Sequence, residues 1–134
     1  MSGATPSEER VPFAYATIRI VPRVERGEYL NAGVVLFCRP RRFLAARIHL
    51  DEARLAALAP GFDPEMTRQL LDRIPPVCAG GPAGGPIGLL TQAERFNWLV
   101  APASTVVQPG PVHTGLCHDP AAILERLYET LVLV

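Results

Sequence analysis

The run Ala101 to Pro120, APASTVVQPGPVHTGLCHDP, holds most of the chain's chemically versatile side chains. His113 sits in Pro111-Val112-His113-Thr114-Gly115. Its imidazole could act as general acid or base, or hold a phosphate or carboxylate. It could equally brace its own loop through ring hydrogen bonds. Cys117, four residues on, could pair with His113 as a nucleophile. It also lies just before a helix start, where a small buried residue is at home. Glu28 is the other candidate partner of His113. Arg26 or Arg95 would then clamp a substrate, which makes the chain a small hydrolase or phosphoryl-handling enzyme. Ser104 and Thr105 could offer hydroxyls and N–H groups to an anion, or bond their own turn. No nucleophile-elbow pattern surrounds Ser104. Cys38, Cys78, Cys117, His49, His113 and His118 lack the close paired spacing of a zinc site, so neither a metal nor another cofactor is expected. His118 reads as a solvated residue at a helix start.

Prolines and glycines crowd this run: Pro102, Pro109, Gly110, Pro111, Gly115 and Pro120. They fix or free φ at chosen points, so the path is specified. Loops held on a rigid scaffold are where binding and catalysis concentrate.

Composition limits the chemistry further. All 13 basic residues are arginines, which excludes a Schiff-base lysine and a Walker-type phosphate loop. From Arg19 to Arg47, seven arginines face two glutamates, a net of +5; from Ile48 onward the net is −4. Arg19, Arg23, Arg26, Arg39, Arg41, Arg42 and Arg47 could therefore contact phosphates, with the arginine-rich hairpin as a nucleic-acid surface. The competing reading is a solvated, salt-bridged face with Glu25 and Glu28. The whole chain is neutral, so no global pull toward nucleic acid or acidic membrane exists. Three widely spaced cysteines suit a reducing cytoplasm better than a disulfide framework. No apolar run reaches the ~20 residues of a membrane span. Residues 1–10 read as a disordered tail and 11–134 as one domain.

The elements that must position these groups follow from periodicity. Phe13 to Val21 alternates as a half-buried strand. Leu30 to Cys38 is continuously apolar, as in a central strand buried on both faces. Gly33 within it signals a bulge or a close backbone approach. Asn31, its odd polar residue, would satisfy a neighbouring backbone group. Arg39 to Arg42 is a tight turn, and Phe43 to Leu50 a third strand. Asp51, Asp63, Thr91 and Asp119 are expected N-caps, with Thr91 and Glu94 at capping-box spacing. Met66, Leu70 and Ile74 would be one helical stripe, ended or kinked by Pro75-Pro76. Phe96, Leu99 and Val100 would face inward on the next helix, leaving Trp98 off the stripe. Thr105 to Gln108 would be a fourth strand. Ile123, Leu124, Leu127, Tyr128 and Leu131 mark the final helix. The fold class is therefore α+β: a mainly antiparallel sheet of about four strands, with helices packed on one face.

Three segments carry a resemblance: Arg26 to Phe37 (RGEYLNAGVVLF), Arg95 to Pro102 (RFNWLVAP), and Ser104 to Gln108 running into Pro111 to Gly115. Together they resemble the bacterial "domain of unknown function 3037" family. The resemblance implies a HipA-like kinase as a partner and no established reaction. The positions it singles out are Arg26, Glu28, Asn31, Arg95, Trp98, Ser104, Thr105, Gln108, His113 and Thr114. Ala103 and Gly110 stand where the family pattern commonly has arginine and serine, which weakens an anion-site reading here. The leading expectation is a small cytoplasmic interaction or regulatory module. The hydrolase centred on His113 and nucleic-acid binding through the hairpin stand as alternatives.

Overall fold

The computed structural model describes residues 9–133. Of the expected tail over 1–10, residues 1–8 lie outside the described part. β1 (Val11–Ile20), β2 (Leu30–Cys38) and β3 (Phe43–Ile48) form the expected antiparallel meander. β1 is its other neighbours' partner too. β4 (Val107–Pro109) pairs along its C-terminal half and β5 (His113–Cys117) along its N-terminal half, both antiparallel. The α+β class holds, with five strands in the sheet.

The fifth strand arises where the sequence suggested a loop. β4 and β5 follow one path along β1, and the Gly110 N–H donates to the Thr17 carbonyl between them (2.8 Å). The register changes by one residue between Ile18↔Pro109 and Tyr15↔His113. Gly110, Pro111 and Val112 thus stand opposite Ala16 and Thr17, one residue in excess, which is a β-bulge. Gly110 is needed there: a Cβ would lie 2.5 Å from Thr17 Oγ1 and 3.1 Å from the Arg19 guanidinium. A second register shift falls between Ile18 and Arg19 on the β2 side. Beside it, a Cβ on Gly33 would lie 2.7 Å from Ile48 Cδ1 and 2.8 Å from the Arg47 carbonyl oxygen. The close approach inferred from the sequence is present.

Alternation divides the sheet between two cores. Ala16, Ile18, Ile20 and Val35 pack with Leu55 of α1 (Glu52–Leu58), Leu71 of α2 (Pro64–Leu71), Ile74 of α3 (Ile74–Ala79) and Phe96. After α3 come a 3-10 turn at Pro82–Gly84, the single turn α4 (Gly85–Gly88), and α5 (Gln92–Leu99), which carries Phe96. Val34, Leu36, Cys38 and Cys117 pack with Leu124, Tyr128 and Val132, the first two on α6 (Pro120–Leu131). The helices are therefore shared between both faces and not gathered on one. The cause is β2, whose apolar run buries Val34 and Leu36 to one side and Val35 to the other, so both sides require cover.

Helix starts follow the sequence. Asp51, Asp63 and Asp119 accept backbone N–H groups of the first turn, and Thr91 with Glu94 completes a capping box. Of the expected Met66–Leu70–Ile74 stripe, Ile74 is buried and Leu70 half-buried, but the fully buried positions of α2 lie one residue on. Met66 is exposed while Thr67 and Leu71 are fully buried. Thr67 tolerates burial because its hydroxyl donates to the Asp63 carbonyl (2.9 Å), leaving its methyl for the core. Pro75 and Pro76 do not kink that helix. It stops at Leu71, and the prolines occupy the first turn of α3, where a missing N–H costs nothing. Among the described residues, no helix is long and apolar enough to cross a membrane.

Candidate functional site

A cavity of about 370 Å³ opens where α2, α3 and α5 meet the edge of the sheet. Its volume lies in the range of small-ligand and anchor-residue pockets. Ile18 and Val35 line it from the sheet, and Leu70, Ile74 and Leu99 from the helices. Trp98 lines it as well and is 53 % exposed. Phe96 is the buried residue of α5, with Leu99 and Val100 packed against the core as their spacing indicated, and Trp98 stays outside that buried set. Thr105 and Gln108 complete the rim in a compact hook: Thr105 Oγ1 donates to the Val107 carbonyl and Gln108 Nε2 to the Thr105 carbonyl, each at 2.7 Å. Ser104 is exposed between the lining residues Ala103 and Thr105. One ionisable side chain lines the cavity, Arg73.

The structure therefore brings Trp98, Thr105 and Gln108 together and disperses the other sequence candidates. Arg26 and Glu28 line a separate hollow of about 290 Å³ with Pro22, Arg23 and Pro60. They hydrogen-bond to each other in an ion pair. That bond holds the Glu28 carboxyl below its ordinary range and raises the Arg26 guanidinium. Both groups are open to solvent, so the pair contributes little to stability.

His113 is exposed on β5 and rests on the Tyr15 ring, with centroids 5.3 Å apart and planes 34° apart. Cys117 lies four residues further along the same strand, about 13 Å away at strand rise. It is buried, and burial followed by its neighbour Cys38 pushes its thiol pKa up. Glu28 lies past the Ile20↔Leu30 pair, whereas His113 sits at Tyr15, a separation of about 17 Å along β1. His113, Cys117 and Glu28 thus do not meet. Cys78 is pushed up to about 12 by burial, which keeps it a thiol at neutral pH.

Arg95 and Asn31 serve the backbone. Arg95 Nη1 donates to the Val77 and Cys78 carbonyls (2.8 and 2.7 Å), and Nε to the Leu90 carbonyl (3.1 Å). It ties α5 to the C-terminal end of α3. Asn31 Nδ2 donates to the Leu131 carbonyl (3.2 Å), tying β2 to the end of α6. Thr114 is exposed on β5, opposite Ala14.

The arginines are likewise spread out. Arg41 Nη2 donates to the Glu9 carbonyl (2.8 Å), Arg19 stacks over Tyr29 (4.0 Å), and Arg47 pairs with Glu125 while lying over Tyr128 (4.4 Å). Arg39 and Arg42 are exposed in the hairpin turn. Among the described residues, no group of three or more His, Cys, Asp or Glu could hold a metal ion.

Sequence reasoning missed Arg73 and Leu70 as site residues. Leu70 reads as core from its spacing to Ile74, and Arg73 is one arginine among thirteen. Asp72 and Arg73 keep right-handed helical φ and ψ between α2 and α3, so Leu70, Arg73 and Ile74, spaced three and four apart, share the side that lines the cavity.

No curated protein and no solved structure matches the chain. The family model described as "Protein of unknown function (DUF3037)" matches residues 15–132, from Tyr15 on β1 to the residue after α6, and the chain belongs to that family.

Proposed function

We propose that the chain is a small interaction module whose contact surface is the Trp98 cavity with its Ala101–Gln108 rim. The single observation that carries this is Trp98 itself. It is a large aromatic left half exposed beside an apolar hollow, outside the buried set of α5. Tryptophan is the residue type most often found anchoring protein contacts, because it offers large area at small entropic cost. We assign the work to the bacterial cytoplasm, a reading in keeping with three free, buried cysteines. The family resemblance suggests a HipA-like kinase as the partner. The hydrolase reading loses its support from geometry, since His113 rests on Tyr15 while its two candidate partners, Glu28 and Cys117, are held apart from it along the strands. The nucleic-acid reading loses support from the dispersal of the arginines over several contacts.

Co-expression with the cognate kinase tests the proposal. The tagged chain should retain the kinase through size exclusion, and Trp98→Ala should release it. A wild-type chain that elutes alone at tens of micromolar, with the kinase present, sinks the kinase partnership. Retention by Trp98→Ala removes the cavity from the contact.

A further inference from the structure

The edge of the sheet at the cavity limits how a partner can enter. The carbonyl of Val106 accepts from Val21 N–H (2.7 Å), and Gly110 N–H donates to Thr17 (2.8 Å). Even-numbered backbone groups of this segment therefore face β1, and those of Val107 and Pro109 face outward. The Val107 carbonyl is already taken by the Thr105 hydroxyl, and Pro109 has no N–H. An added strand would find one donor, on Val107, and no continuing ladder. Such an edge resists β-augmentation. What the cavity offers instead is an apolar lining and one cation. The Arg73 side chain is exposed and makes no hydrogen bond or ion pair with any described residue. A guanidinium left open beside an apolar hollow is complementary to a carboxylate, which it can hold through two parallel N–H donors.

We infer that the cavity takes a large apolar side chain from an acidic segment of a protein partner, while Arg73 pairs with the carboxylate of the neighbouring residue of that segment. The inference deepens the interaction-module reading and rests on it. The apolar group supplies the buried area, and the carboxylate fixes which segment is chosen. Because the edge offers an added strand a single donor, side chains carry the recognition, so a short peptide reproduces it.

Trp98 is the chain's one tryptophan, so its emission reports directly on the cavity. The probes are two capped hexapeptides, one with leucine followed by aspartate at its centre, the other with leucine followed by asparagine. The aspartate peptide should shift Trp98 emission to the blue, saturably, and bind about tenfold more tightly, a difference of ~1.4 kcal/mol. Arg73→Gln should erase that tenfold difference and leave the asparagine peptide unaffected. Arg73 precedes α3 without capping it through its side chain, so the variant should melt with the wild type. Equal binding of the two peptides, a preference that survives Arg73→Gln, or no shift up to millimolar peptide each overturns the inference. Kinase retention measured in parallel separates the two readings. Kinase bound through Trp98 without either peptide leaves the module and removes this mode. Peptide discrimination without kinase retention upholds this mode and removes the kinase.

Discussion

The two faces of the sheet are covered in different ways. On one, the single twelve-residue helix α6 lays Leu124 and Tyr128 over Val34, Leu36 and Cys38. On the other, α1, α2, α3 and α5, each of six to eight residues, share the work. A continuous helix presents one unbroken apolar stripe. Short helices bring ends, and every end carries backbone groups that need partners. Arg95 meets the carbonyls that end α3, and Thr91 with Glu94 meets the N–H groups that begin α5. Where those ends fail to abut the sheet edge, the Trp98 cavity remains. One face closes the domain, and the other leaves a gap that a partner can fill.

That contrast predicts different consequences for the same kind of truncation. Leu124→Ala, on the closed face, should cost about 3 kcal/mol in urea unfolding, as for other buried leucines. Its folded fraction should bind the aspartate peptide as the wild type does. Leu71→Ala, fully buried beside the cavity wall, should cost a similar amount and also weaken peptide binding. Equal peptide affinity in both variants would break the comparison.

The next effect comes from the helix ends. Arg95→Met keeps much of the side-chain bulk but leaves the carbonyls of Val77, Cys78 and Leu90 without their donor. A loss of roughly 2 kcal/mol is expected, in line with hydrogen bonds to a charged group. Thr91→Ala removes the cap of α5 and should cost about 1 kcal/mol. The same cap carries a pH dependence. The Thr91 hydroxyl and backbone N–H, bonded to Glu94, lower its carboxyl pKa. Its contribution is therefore present above the unfolded glutamate range, ~4.3, and lost as pH falls through the depressed folded value. The stability gap between wild type and Thr91→Ala should narrow in acid. A gap constant from pH 7 to 3 would show that Glu94 takes no part.

Much of this architecture was legible in the residues. β2 was given whole by its apolar run, the four N-caps by their side chains, and α6 by its stripe. Trp98 stood out because it lay off a periodic face. Two features were hidden for physical reasons. The Pro109–Pro111 run reads as loop chemistry, yet its prolines and glycine build a bulge that keeps the path beside β1. Thr67 reads as surface, yet its hydroxyl is satisfied within its own turn, which moves the buried stripe of α2 by one residue. The cavity itself depends on how residues 101–109 and α5 meet the Leu70–Ile74 side, a tertiary event that no local pattern encodes. For the same reason Glu28, His113 and Cys117 could be combined on paper although the strands hold them apart.

The smallest expected effect on stability is the most informative. Trp98 is half exposed and lies outside the buried set of α5, so Trp98→Ala should change unfolding free energy by less than about 1 kcal/mol. Were Trp98 part of the core that closes the segmented face, the loss would instead approach the ~3 kcal/mol or more of a buried aromatic. Binding of a fluorescein-labelled aspartate peptide, followed by anisotropy, should fall at least tenfold in the same variant. A side chain whose removal leaves stability in place and takes binding away is held at the surface for a partner. Loss of both together would return Trp98 to the core and leave the gap between the short helices as an accident of their packing.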